Sequence, residues 1–229
     1  MNLLKNKISI DMSESFIVAM LLTLAGGYLD VYTYVTRDGV FANAQTGNIV
    51  LFGINIAKKN YTMAINYFIP ILSFVVGIFL SEIIKHNFRQ KFKMHWRQIT
   101  VLFEIFIIIF VSTLVEPSTN MIANILVSFV CAMQVESFRK VQGSPFASTM
   151  CTGNLRSASE NLYTYLLTKN RNSLVNFFKY IGIISSFIIG AIVSYKITHV
   201  LSVKSILVCC IPLVLAYGLM FIENKKETE

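Results

Sequence analysis

The chain repeats one polar signature at one internal spacing. Asp30 precedes Thr46-Gly47-Asn48 by sixteen residues, and Glu136 precedes Thr152-Gly153-Asn154 by the same sixteen. Downstream, the block from Ser73 to Ser81 is echoed from Ser186 to Ser194, with glycine at Gly77 and Gly190. Tyr67 and His86 return at the same offset as Tyr180 and His199. A single Thr-Gly-Asn triplet arises by chance. Two with matched acids and a matched nine-residue block mark an internal duplication, and in an apolar chain duplicated halves are how many transporters are built, with the working site where the halves meet.

The chain is apolar enough for that reading. Of its 229 residues, 55% are hydrophobic and 14% charged, with a mean hydropathy of +0.61, whereas soluble domains carry about a quarter charged residues. An integral membrane protein follows, with the lipid bilayer as its first partner. The net charge of +8 would point to nucleic acid in a soluble domain. Here the Lys and Arg residues sit between apolar runs, where they set orientation, and nucleic-acid binding is excluded.

Chemistry of other kinds finds little footing. Cys131, Cys151, Cys209 and Cys210 have no C-x-x-C spacing, and His86, His95 and His199 cluster with neither cysteines nor acids. No metal site and no cofactor are expected. The nucleophile-elbow, zinc-protease and phosphate-loop signatures are all missing, so the chain does not read as an enzyme. Lys5 and Lys7 before an apolar stretch imitate a signal peptide, but Phe16 to Val35 is too long for one and is kept as a span.

A crossing helix needs about 20 mainly apolar residues. Six segments qualify: Phe16 to Val35, Tyr67 to Ile84, Ile99 to Val115, Met121 to Phe138, Tyr180 to Ile197 and Ser205 to Ile222. Two further stretches, Ile49 to Ala57 and Leu155 to Leu167, follow the triplets. The first is roughly 14 Å long as a helix and is expected to re-enter or lie at the interface. With the N-terminus in the cytoplasm, fifteen of the twenty Lys and Arg residues fall inside and five outside: Arg37, Lys58, Lys59, Lys196 and Lys204. The loop from Lys85 to Arg97 is the firmest marker of this positive-inside bias. Three spans per copy make the repeats inverted: residues 1–115 form the first, residues 121–229 the second, and a tight external turn at 116–120 joins them. Both termini are then cytoplasmic.

The segments Phe41 to Asn48 and Phe146 to Asn154 carry the most information. Thr46 and Thr152 can cap short helices, Gly47 and Gly153 permit close backbone approach, and Asn48 and Asn154 offer amides that donate and accept. As a site, these two elements would line a central substrate cavity; as structure alone, they would be caps and packing points. Asp30, Glu136 and Glu104 are ionisable groups in or near spans, costing at least ~2.5 kcal/mol at mid-depth, and are candidates for proton or cation coupling. Alternatively, Asp30 and Glu136 reach headgroups from span ends, with Arg37 or Arg139 as partners. Gly26-Gly27, Gly77 and Gly190 read as points of close helix approach. The abundant phenylalanines read as lipid-facing.

At Gly26-Gly27-Tyr28-Leu29-Asp30, Val40 to Gly53, Ala132-Met133-Gln134 and Thr152 to Leu155, the chain resembles the YoaK family of bacterial multi-pass membrane proteins over nearly its whole length. It departs from that family's pattern at Ala132, where glycine is usual. The resemblance implies a bacterial inner-membrane protein and no particular substrate. Taken together, the sequence predicts an all-α, six-span protein of two inverted three-span repeats, each with a short helix after its triplet. Its expected role is secondary transport of a small solute or ion, with a membrane scaffold, an accessory subunit and a channel as the alternatives.

Overall fold

In a computed structural model of the chain, residues 12–88, 96–142, 144–146 and 151–222 are described. Most of the Lys85 to Arg97 marker loop, the start of the second triplet element and both charged ends lie outside them. The described residues are almost entirely helical: α1 (Phe16–Thr36), α2 (Gln45–Ala57), α3 (Tyr61–Phe88), α4 (Trp96–Val111), α5 (Asn120–Ser137), α6 (Cys151–Thr168), α7 (Arg171–Leu201) and α8 (Cys210–Leu219). A small antiparallel ladder pairs β1 (Lys140–Val141) with β2 (Ser144–Pro145).

Local sequence explains the helix ends. The Ser15 hydroxyl accepts from the Val18 N–H and starts α1, while Asp38 and Gly39 take positive φ just past its end. The corners α2–α3 and α6–α7 are built alike. Lys59 (φ 58°) and Lys169 (φ 55°) are each followed by an asparagine, Asn60 and Asn170, whose side-chain oxygen accepts from the next helix's first turn. This turn chemistry is a further likeness between the two halves, and it lies outside the repeated triplets and nine-residue blocks.

Four helical segments among the described residues are long and apolar enough to cross a bilayer: Phe16–Thr36, Tyr61–His86, Pro117–Ser137 and Arg171–Leu219. The sequence predicts six; Ile99 to Val115 falls short of that measure, Tyr180 to Ile197 and Ser205 to Ile222 run together in the last segment, and both differences have local causes. The Ile99 to Val115 segment ends its helix at Val111, because residues 112–116 turn ahead of Pro117; α4 has 16 residues, or roughly 24 Å. The Ser205 to Ile222 segment opens as a 3₁₀ helix, Ser202–Cys209, before α8, and Ser202 at φ 50° marks its break from α7.

Packing is symmetric in plan. The α1 helix packs on α7 and α5 on α3; α2 lies on α3 and α6 on α7; α4 touches α5, and α8 touches α1; α4 and α8 meet each other. Exchanging α1–α4 for α5–α8 leaves that scheme unchanged. Glycines set the two largest seams. A Cβ on Gly27 would stand 2.2 Å from the Phe187 carbonyl oxygen, and one on Gly190 would stand 2.1 Å from that of Leu24. In the other seam a Cβ on Gly77 would stand 2.6 Å from the Phe129 oxygen and 2.8 Å from the Ala132 methyl. Ala132 therefore lies in the α3–α5 seam.

Two arginines tie the ends of the bundle. Arg37 is fully buried: its Nη2 donates to Tyr32 Oη (2.8 Å) and its Nη1 to Asn120 Oδ1 (2.9 Å), while its carbonyl accepts from Asn124 Nδ2 (2.9 Å). Tyr32 in turn donates to the Val203 carbonyl, and Tyr28 to that of Ser205. At the opposite end Arg97 donates to the Ser137 carbonyl, Ser13 Oγ and Glu14 Oε1. These bonds join the C-terminal end of α1 to the N-terminal end of α5, and the reverse at the other end, so α1 and α5 run in opposite directions.

Outward faces carry large apolar side chains, among them Val75, Val76 and Phe79 on α3, Phe106 on α4, Ile188 and Ile192 on α7, and Ile211 on α8. In water such a belt would aggregate; against lipid it is the expected surface.

Candidate functional site

The triplets open their helices rather than precede them. Thr46 and Thr152 are each the second residue, of α2 and α6, so neither caps its helix. The α2 cap residue is Ala44, which has no side-chain oxygen to offer. The cap comes from another helix: Asp30 Oδ1, on α1, accepts from the backbone N–H groups of Asn43 (2.6 Å) and Ala44 (3.2 Å). A carboxylate on a helix N-terminus meets both its unpaired donors and the positive end of its dipole. Asp30 is 4% exposed. It neither reaches headgroups nor pairs with Arg37, whose donors go to Tyr32 and Asn120 as described.

Asn48 closes the same element. Its Oδ1 accepts from the Phe41 N–H (3.0 Å), and its Nδ2 donates to the Phe41 carbonyl (2.8 Å) and to Gln45 Oε1 (2.9 Å). The Phe41 ring stacks on Tyr34 at 4.7 Å, and a Cβ on Gly47 would meet that ring at 2.8 Å. Asn154 is buried like Asn48, whereas Gly153 has nothing within 4 Å of where its Cβ would be. Both threonines are exposed, and among the described residues neither hydroxyl takes a hydrogen bond. Each triplet thus turns its asparagine into the packing and its threonine outward.

The threonines face one space. A cavity of about 580 Å³ is lined by Gln45 and Thr46 of α2, Cys151, Thr152 and Gly153 of α6, Asp30 and Val31 of α1, and Phe41, Asn43 and Ala44 of the connecting turn. Its walls are completed by Phe74 and Ile78 of α3, Val135 of α5 and Phe187 of α7. Phe74 and Phe187 are equivalent positions in the repeated nine-residue blocks. They correct the reading of phenylalanine as lipid-facing alone; their duplicated position was the available signal. A second cavity of about 460 Å³ adjoins the first, sharing Val135 and Gly153, and is bounded by Glu136, Arg139, Pro145, Phe146, Asn154 and Ser157.

The remaining acids differ from Asp30. Glu136 sits at the end of α5, with Arg139 at 3.0 Å and Lys85 at 3.7 Å, so its expected partner Arg139 is present. Positions 149 and 150, which correspond to the capped pair Asn43 and Ala44, lie outside the described residues. Glu104 is fully buried in α4, and neither carboxyl oxygen has a hydrogen-bond partner. It does not line either cavity. Sequence reasoning missed Asn43, whose Nδ2 donates to the Gly26 carbonyl (3.2 Å) and fixes the turn to α1.

A lipid-facing apolar belt, helices long enough to cross and a polar-mouthed cavity between them define a helical integral membrane protein. By sequence comparison, the chain belongs to the family described as Protein of unknown function (DUF1275), matched over residues 18–219. It is similar to the UPF0700 transmembrane protein YoaK of Bacillus subtilis (strain 168), 25% identical over 154 residues, covering 66% of this chain and 68% of that one. No solved structure matches.

Proposed function

We propose that this protein carries a small solute across the bacterial inner membrane, binding it in the cavity where the two triplet elements meet. The observation that carries the reading is the shared lining: Thr46 and Thr152, equivalent residues from the two copies, contribute unpaired hydroxyls to one cavity. Its volume falls within the ~300–1,000 Å³ of small-molecule sites. Irregular backbone at membrane depth is tolerated where it lines such a space.

The proposal includes six crossings in two inverted repeats, residues 1–115 and 121–229. The opposed directions of α1 and α5 and the interchangeable packing scheme support it. The 3₁₀ helix and α8 together cover eight and ten residues, roughly 31 Å at 2.0 and 1.5 Å per residue, enough for a sixth crossing. Positive-inside bias then puts both termini and the Glu136–Arg139 cavity on the cytoplasmic side, as an inward vestibule to the central site. In this reading Thr46, Gly47, Thr152 and Gly153 form the contact surface, Asn48 and Asn154 hold it in shape, and Asp30, Glu136 and Glu104 are the candidate coupling acids.

The test is thermal stabilisation of purified protein by a panel of small solutes, alongside a Thr46→Phe/Thr152→Phe variant that fills the cavity. Stabilisation of the natural protein alone supports a site, and saturable uptake of that solute into proteoliposomes separates a carrier from a channel. If no solute stabilises, or the filled variant responds equally, the scaffold reading replaces this one.

A further inference from the structure

Resting on that reading, we infer that the solute is a small organic cation, an amine or quaternary ammonium with an apolar body. The central cavity fits that chemistry in three respects. Among the described lining residues, Asp30 is the one that carries a formal charge, and no Lys, Arg or His accompanies it. Arg37, the cation nearest to it along the chain, is engaged by Tyr32 and Asn120 and is not among the lining residues. Three aromatic rings, Phe41, Phe74 and Phe187, come from three separate parts of the fold, and ring faces attract cations most strongly where water is excluded.

The opposite charge is served less well. The positive end of α2, which would otherwise favour an anion, is already occupied by Asp30 Oδ1, leaving a carboxylate in front of the helix. An anion would have to approach that carboxylate with only the hydroxyls of Thr46 and Thr152 and the start of α6 to receive it. Like charges at close range in a medium of low polarity repel strongly. A cation meets Asp30 directly and gains Coulomb attraction, to which an amine adds a charge-assisted hydrogen bond through its N–H.

Asp30→Asn is a clean probe because the amide oxygen still accepts from Asn43 and Ala44, so the cap survives while the charge is removed. Purified full-length protein would be titrated with tetraethylammonium, phenethylamine, phenylacetate and 2-phenylethanol, followed by thermal stability and by isothermal calorimetry. The two cations should bind the natural protein and lose at least about tenfold in affinity in Asp30→Asn, a loss in the range of a charge-assisted contact. Phe187→Leu should weaken them severalfold while leaving 2-phenylethanol little changed; it serves as the second test if Asp30→Asn does not fold. Cation binding unchanged in both variants overturns the inference. Binding of phenylacetate or 2-phenylethanol in preference to the cations also overturns it, while leaving the cavity as a solute site. Failure of all four probes to bind counts against the cation class, and the proposed transport function falls with it only if the wider solute panel is silent too.

Discussion

The two copies of the triplet element share a sequence and differ in how they are held. In the first, Asp30 caps α2, Asn48 clasps Phe41 on both sides, and Gly47 is pressed against the Phe41 ring. In the second, Gly153 stands open between two cavities, and Glu136 pairs with Arg139 and Lys85. The helix seams, by contrast, remain alike, with Gly190 and Gly77 both set against backbone. The seams have kept one form while the polar details differ, and in the proposed reading the first copy supplies a wall and the second an entrance.

The largest effect should come from breaking what the copies share. Gly190→Leu drives a side chain into the Leu24 backbone, and Gly77→Leu does the same against Phe129; both should lose several kcal/mol of stability, the overpacking cost of ~1–3 kcal/mol being exceeded because backbone cannot step aside. Size-exclusion profiles of detergent-purified protein would read this out, and a monodisperse Gly190→Leu variant would refute the seam geometry. The acids should then separate the copies. Asp30→Ala strands one buried and one half-buried N–H group and should cost about 2 kcal/mol, whereas Glu136→Ala, with Arg139 largely exposed, should cost at most ~1 kcal/mol. Equal losses in thermal unfolding would erase the contrast.

Smaller still is the glycine pair. Gly47→Ala must displace the stacked Phe41 ring and should cost about 1 kcal/mol, while Gly153→Ala, in open space on a helix, should be neutral or gain up to ~1 kcal/mol. Finally, if the second copy is the entrance, Ser157→Cys in a cysteine-free background should react with a hydrophilic thiol reagent faster than Ala44→Cys. The reverse order would place the entrance elsewhere.

Much of this was legible in the sequence because it depends on periodic apolar composition and on exact repetition. The apolar segments are helical over most of their length, and the equivalent threonines of the two triplets line one cavity. The Asp30 cap was not legible, since nothing in sequence spacing says that a carboxylate on one helix ends thirteen residues from the N–H it serves. Thr46 looked like the cap by local rules, and a tertiary contact supplied a better acceptor. The buried role of Arg37 was hidden for the same reason: a basic residue just past a span reads as a boundary charge until its partners are known. The short α4 followed from turn geometry at residues 112–116, which hydropathy averages over.

Arg37 also sets an order of assembly. It leaves the ribosome 83 residues before Asn120, which takes its Nη1 donor, and the loop that bears it cannot close over a bare guanidinium in the meantime, given the cost of burying an unpaired charge. A first half on its own would therefore leave that guanidinium without its Asn120 partner and would keep the charge in water. Expressed alone, the first half should fail to close around Arg37, and co-expression of the second half as a separate chain should restore that closure.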